Sequence, residues 1–214
     1  MTTVALIDYG SGNLRSAEKA LQKAAAGLAR GPTVMTTADP DVIARSDAVV
    51  LPGVGAFAAC MDLLEGRPGV IEAMSEAVRG QGKPFLGVCV GMQLLADHGL
   101  EFGKRSGLGW IAGEVRAIKP ADQRCKVPHM GWNGLDGTQG RALFDGLAAG
   151  AHMYFTHSFA LHADDEADVA AWTDHGGRIC AAVEKGNIAG VQFHPEKSQA
   201  AGQILLSRFL EWRP

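Results

Sequence analysis

Cysteine is scarce and scattered: Cys60, Cys89, Cys125 and Cys180 lie far apart, with no C-x-x-C pair among them. Such spacing supports neither a disulfide scaffold nor a zinc knuckle, so the four read as reduced thiols and no metal is implied. An excess of one charge is also lacking. The formal net charge of −3 supplies no general electrostatic attraction for nucleic acid or an anionic membrane. No apolar run approaches a membrane span, and no basic region precedes the apolar N-terminal residues, so a soluble, cytoplasmic protein is expected. The phosphate-loop pattern G-x-x-x-x-G-K-[ST] is missing, and Gly53-x-Gly55 is too short a match for a dinucleotide site, so no cofactor is implied. Repeats, linkers and low-complexity tracts are absent as well. What remains is one domain over residues 1–214, with a hydrophobic fraction of 47%, able to bury a core without staples.

The order of apolar runs predicts an α/β fold. Thr3–Ile7 reads as a buried strand that opens into the turn Asp8-Tyr9-Gly10-Ser11-Gly12-Asn13. Helical spacing follows from Leu14 to about Leu28, broken by Gly31-Pro32 before Thr33-Val34-Met35. Asp47–Leu51 and Lys83–Val88 repeat the theme of strand, Gly-rich turn and helix. Past Gly107, short β-rich stretches near 110–118, 153–155, 169–172, 179–183 and 188–193 predict antiparallel strands added to a mostly parallel central sheet. A final helix over 199–212, with Ile204, Leu205, Phe209 and Leu210 on one face, is expected to pack back on the sheet.

Three motifs carry chemistry. Gly87-Val88-Cys89-Val90-Gly91 places cysteine at a strand-to-helix turn, with glycines two residues to either side leaving room for a strained nucleophile elbow. The following segment, 91–96, is expected to continue as a helix whose N-terminus favours thiolate and can hold an oxyanion. Val191-Gln192-Phe193 ends in His194-Pro195-Glu196. Proline biases the preceding residue to extended backbone, so His194 and Glu196 tend to share a face, as a base and its orienting carboxylate would. Pro52-Gly53-Val54-Gly55 follows a strand ending at the same sheet edge, and the N–H groups of Val54 and Val90 are the expected oxyanion donors. Taken singly, each motif has an ordinary reading as a buried thiol, a capped strand end or a plain turn. Together they predict a Cys89-His194-Glu196 triad.

On these residues the chain resembles the class I glutamine amidotransferases over nearly its whole length. Asp8–Asn13, Pro128-His129-Met130-Gly131-Trp132-Asn133, Tyr154–Phe159 and Lys197-Ser198 further resemble the glutaminase subunits of a histidine-biosynthetic synthase. The resemblance implies that Gln93 and the backbone of Gly53, His157, Ser158 and Phe159 hold the amino-acid end of L-glutamine. It also implies that Asn13, Trp132 and Lys197 face a β/α-barrel cyclase subunit in a heterodimer. Common family forms carry Leu where Val90 stands and often Tyr where Phe159 stands; neither change removes a group from the triad. Bare residue reading places Trp132 in a loop, and His129 and His157 as surface or internally satisfied histidines. Rival readings are the glutaminase subunit of another synthase, such as pyridoxal phosphate synthase, a noncatalytic regulator on the same fold, and a free-standing cysteine hydrolase.

Overall fold

A computed structural model of the chain describes residues 2–122 and 124–214. The first half alternates strand and helix: β1 (Thr3–Ile7), α1 (Leu14–Ala26), β2 (Thr33–Thr37), α2 (Pro40–Arg45), β3 (Ala48–Gly53), α3 (Phe57–Glu65), α4 (Val70–Ser75) running into a π-helical turn (Glu76–Gly80), β4 (Phe85–Cys89) and α5 (Val90–Gln93). β3 and β4 are buried at every residue, as strands covered on both faces are. Local chemistry sets some boundaries. Asp39 caps α2 by accepting the Asp41 N–H at 2.9 Å, and Pro40 opens the helix where its missing N–H costs nothing.

The second half is rich in strands: β5 (Ala96–Gly99), β6 (Arg105–Ser106), β7 (Ile111–Ala117), β8 (His129–Gly134), β9 (His152–His157), β10 (Phe159–Ala163), β11 (Val169–Asp174), β12 (Arg178–Lys185) and β13 (Ile188–Val191), followed by α6 (Gln199–Glu211). The central sheet has the order β11-β12-β13-β4-β3-β1-β2. β2, β1, β3, β4 and β13 are parallel, while β12 and β11 extend the sheet antiparallel beyond β13. This is the expected α/β class. A smaller sheet, β10-β7-β5-β6, and the antiparallel pair β8-β9 complete the fold. α1 packs on α6 and α2 on α4, and Leu6, Leu51, Phe85, Phe193 and Phe209 are buried to within 2%, each such apolar side chain stabilising by about 1.5–3 kcal/mol. Among the described residues no helix is long and apolar enough to cross a membrane.

Three expectations need correction. The helix after the elbow is a single turn, Val90–Gln93, and Ala96 already begins β5, so a long-helix dipole is not available at Cys89. Trp132 lies in β8 rather than in a loop, directly across from Tyr154 on β9. Ile204 is partly exposed at 37%, and the buried face of α6 is formed by Gly202, Leu205, Leu206, Phe209 and Leu210. Gly202 matters for the site. A Cβ there would stand 1.9 Å from the Pro195 carbonyl, so only glycine lets α6 seat against the His-Pro-Glu turn.

Candidate active site

Cys89 ends β4 at φ 55° and ψ −111°, a conformation that costs a non-glycine residue about 1–3 kcal/mol and persists only where its surroundings enforce it. They do so by close backbone contact. A Cβ on Gly87 would lie 2.5 Å from the Gly91 carbonyl, and one on Gly91 would lie 1.9 Å from the Leu51 carbonyl. Gly53 pairs in register with Cys89 and approaches the Gly91 N–H too closely for any side chain, at 2.7 Å from an ideal Cβ. The one-turn α5 still leaves the Val90 N–H without an intrahelical acceptor, because the first turn of any helix does so.

His194 is buried, and its Nδ1 meets Glu196 Oε1 at 2.8 Å. Burial of the ring opposes protonation, but the Cys89 sulfur and the Glu196 carboxylate outweigh it and raise the imidazole to about 9. Glu196 is pulled the other way. Burial raises its carboxyl, yet hydrogen bonds from His194 and from Asn13 lower it below the ordinary value. The Asn13 side chain donates to Glu196 Oε1 at 2.5 Å, so Asn13 supports the carboxylate behind the histidine. The other ring nitrogen, Nε2, is buried without a hydrogen bond. It is free to exchange a proton with the neighbouring thiol.

A cavity of about 550 Å³ opens over these groups, lined by Asn13, Val54, Cys89, Val90, Gln93, Glu101, His157, Ser158, Phe159, His194 and Lys197, among others. Nearly all the sequence-derived candidates are therefore gathered at one site. Gly53 and Glu196 lie just behind it with Val54 and His194; Trp132 does not line it. The Val54 N–H is not turned to the cavity as an oxyanion donor. It donates to the Ser11 hydroxyl at 3.0 Å, and that hydroxyl donates to the Val54 carbonyl at 3.4 Å. Beside it, Gly55 at φ 108° has open space where a Cβ would be.

His129 and His157 are buried and satisfied: His129 Nδ1 meets His157 Nε2 at 3.0 Å, and His157 Nδ1 donates to the Phe159 carbonyl at 2.8 Å. Burial lowers them to about 3 and about 4, so both are neutral across the physiological range. Two residues at the site escaped the sequence reading. Glu101 contributes a carboxylate, fixed by the Phe57 N–H at 2.9 Å. Gln192 donates to the Cys89 sulfur at 3.7 Å. A lone Glu in Gly-Leu-Glu-Phe-Gly carries no signal, whereas a polar residue inside the apolar run before His194 is one that could have been used. Among the described residues, no group of three or more His, Cys, Asp or Glu side chains is placed to hold a metal ion.

The site thus sets a cysteine on a strand-to-helix elbow beside a buried His-Glu pair in an α/β fold, and the family model "Glutamine amidotransferase class-I" matches residues 5–212. The chain belongs to that family. Within it, the chain is 59% identical to the imidazole glycerol phosphate synthase subunit HisH of Caulobacter vibrioides, covering 100% of both chains. It is 54% identical to the protein of the same name from Zymomonas mobilis, covering 100% of this chain and 97% of the other. Among solved structures, a glutamine amidotransferase superposes with a TM-score of 0.71 at 18% identity, covering 97% of each chain. Another glutamine amidotransferase, from Thermotoga maritima, gives a TM-score of 0.65 at 15% identity, covering 98% of this chain and 96% of that one. At such identities these two speak for the fold alone.

Proposed function

We propose that the chain is the glutamine-hydrolysing subunit of an imidazole glycerol phosphate synthase, with Cys89 as nucleophile, His194 as acid and base, and Glu196 as its orienting carboxylate. The observation that carries this reading is the strained Cys89 facing the unpartnered Nε2 of a histidine whose other nitrogen is held by a buried carboxylate. The thiolate adds to the side-chain carbonyl carbon of L-glutamine. The imidazolium gives its proton to the departing nitrogen, ammonia leaves, and a γ-glutamyl thioester remains. His194 then takes a proton from water, whose oxygen attacks the thioester, and glutamate leaves with the thiolate restored.

The oxyanion is held first by the Val90 N–H. The Val54 N–H joins it after leaving Ser11, a rotation of the Gly53–Val54 peptide for which Gly53 at its start supplies freedom. Substrate recognition follows from the lining. Both N–H bonds of Gln93 are spent inside the protein, on the Phe159 carbonyl at 2.9 Å and Gln192 Oε1 at 3.0 Å. What Gln93 offers a ligand is its carbonyl oxygen. That acceptor and the Glu101 carboxylate suit the α-ammonium of glutamine, and the backbone of Gly53, His157, Ser158 and Phe159 frames the rest of its amino-acid end.

The partner reading rests on β8. Met130 and Trp132 alternate on one face of this strand and are 63% and 46% exposed, an apolar stripe of the kind that marks an interface. Lys197 joins the stripe to the cavity, since it lines the cavity and sits 5.8 Å over the Tyr154 ring beside Trp132. A β/α-barrel cyclase seated there receives the ammonia and forms imidazole glycerol phosphate and an aminoimidazole carboxamide nucleotide. The test is covalent labelling with a glutamine-like electrophile. Label is expected on Cys89, slowed by glutamine and lost in His194→Gln; label that ignores glutamine would indicate another amide substrate, and no label a noncatalytic protein.

A further inference from the structure

We propose that Gln192 is a positioning residue for the nucleophile, its carboxamide locked in one orientation so that its N–H points at the Cys89 sulfur. The inference rests on the glutaminase reading above for its purpose, but not for its geometry. The orientation can be deduced from one atom whose role is unambiguous, the backbone carbonyl oxygen of Phe159, which only accepts. Gln93 approaches it at 2.9 Å, so the group facing it is the Gln93 NH₂. The second N–H of that NH₂ reaches Gln192 at 3.0 Å, so Gln192 presents its oxygen there. Its NH₂ is left for Cys89, at 3.7 Å from Sγ. Each amide flip is fixed by the one before it.

The same carbonyl also fixes the groups on its other side. His157 Nδ1 donates to it, so neutral His157 accepts at Nε2, and the partner atom, His129 Nδ1, carries the proton. His129 Nε2 then accepts from the Asn133 side chain at 3.1 Å. A continuous chain of hydrogen bonds therefore runs from β8, which carries the exposed Trp132, to the sulfur. Gln192 is wholly buried and Gln93 nearly so, and a Gln192 carboxamide turned the other way would set its N–H groups against those of Gln93 and its oxygen against a thiolate.

A dipole aimed at the sulfur favours thiolate over thiol. The charged or titratable groups that share this environment are His194 with Glu196, the Tyr9 phenol, the Cys60 thiol and, along the cavity, Glu101, His157 and Lys197. Burial holds both Tyr9 and Cys60 above their ordinary values and thus neutral. His194 is then the cation beside Cys89, and Gln192 supplies a neutral donor from β13's extension, independent of it.

The test is the pH profile of Cys89 alkylation by iodoacetamide, read on the Cys89 peptide by mass spectrometry for the parent, Gln192→Met and Gln192→Glu. The alkylation midpoint is expected to move alkaline in graded order, parent below Met below Glu, because Met removes the donor and Glu adds a repelling charge. The Gln192 side-chain N–H resonances of the unmodified protein are expected to titrate with the parent's Cys89 midpoint, and not to do so in Cys89→Ala. Superposed profiles, or equal shifts in Met and Glu, would overturn the proposal, as would Gln192 resonances indifferent to Cys89. The NMR titration decides alone if either Gln192 variant does not fold. A parent Cys89 that alkylates no faster than a buried thiol at any pH would instead count against the glutaminase reading itself.

Discussion

Replacing Glu196 by Gln keeps an oxygen for His194 Nδ1 and for Asn13 but removes the charge, and the consequence can be worked from the geometry. The carboxylate touches the ring at 2.8 Å within a buried site. Two unit charges about 4 Å apart interact by about 4 kcal/mol at an effective dielectric of 20, and a neighbouring carboxylate typically moves a group by about 1–3 pH units. His194 stands at about 9 in the native chain against 6.5 for a free imidazole. The variant should bring it to about 6–8. The same shift is a stability statement. The native state holds this proton more tightly than the unfolded chain, so the stabilisation is complete below about pH 6.5 and is lost as pH rises through about 9. Its full size is about 3 kcal/mol at 1.36 kcal/mol per pH unit, shared between the Cys89 sulfur and the Glu196 carboxylate. Histidine ring NMR, with His194 assigned by its loss in His194→Gln, gives the midpoint directly. Urea unfolding at the two ends of that window gives the energy. The parent should lose stability between them from this group, and Glu196→Gln should lose less. A variant midpoint that stays near 9, or an unchanged slope, would refute the assignment of Glu196 as a group that holds the imidazolium alongside Cys89.

Other substitutions probe the remaining contacts. Asn13 adopts φ 67°, so Asn13→Gly keeps the backbone and removes only the donor to Glu196; kcat for glutamine should fall about tenfold, the worth of one charge-assisted hydrogen bond, with KM little changed. An unaltered kcat would show that Glu196 needs no support from this side. Ser11→Ala frees the Val54 N–H, and at about 1 kcal/mol for the lost bond partner-free glutaminase activity should rise about fivefold; a fall would mean that Ser11 holds the active arrangement. Gly91→Ala drives a methyl to 1.9 Å from the Leu51 carbonyl, which should cost about 3 kcal/mol and lower Tm by about 6–12 °C. A melting curve that overlays the parent's would contradict the close packing of the elbow.

Much of the architecture was legible because the parallel strands are short, apolar and closed by glycine turns, as Thr3–Ile7, Ala48–Gly53 and Phe85–Cys89 show. The His194-Glu196 pairing was legible too, since proline restricts the backbone between them. β8 was not. His129-Met130-Gly131-Trp132-Asn133 interrupts its alternation with a glycine at φ 127° and buries a histidine where an apolar residue is usual. That histidine is accommodated only because His157 and Asn133, distant or polar in the sequence, satisfy both ring nitrogens. The short α5 misled for a related reason: Met92, Leu94 and Leu95 are apolar at helical spacing and fully buried, Met92 and Leu95 against Gly190 of the central sheet, but Ala96 already pairs with Ile111 in the small sheet. Glu101 and the engagement of Val54 by Ser11 depend on side chains brought together from separate loops, which local pattern does not encode.

The central claim is a glutaminase that works for a cyclase, and glutamate release from L-glutamine tests it most directly. The assay compares this chain alone, with the matched cyclase, and with the cyclase and its nucleotide substrate. Weak release alone and strong release in the full mixture, abolished by Cys89→Ala, is the predicted result. Equal release in all three mixtures would remove the assigned partner, and release that survives Cys89→Ala would contradict the site itself.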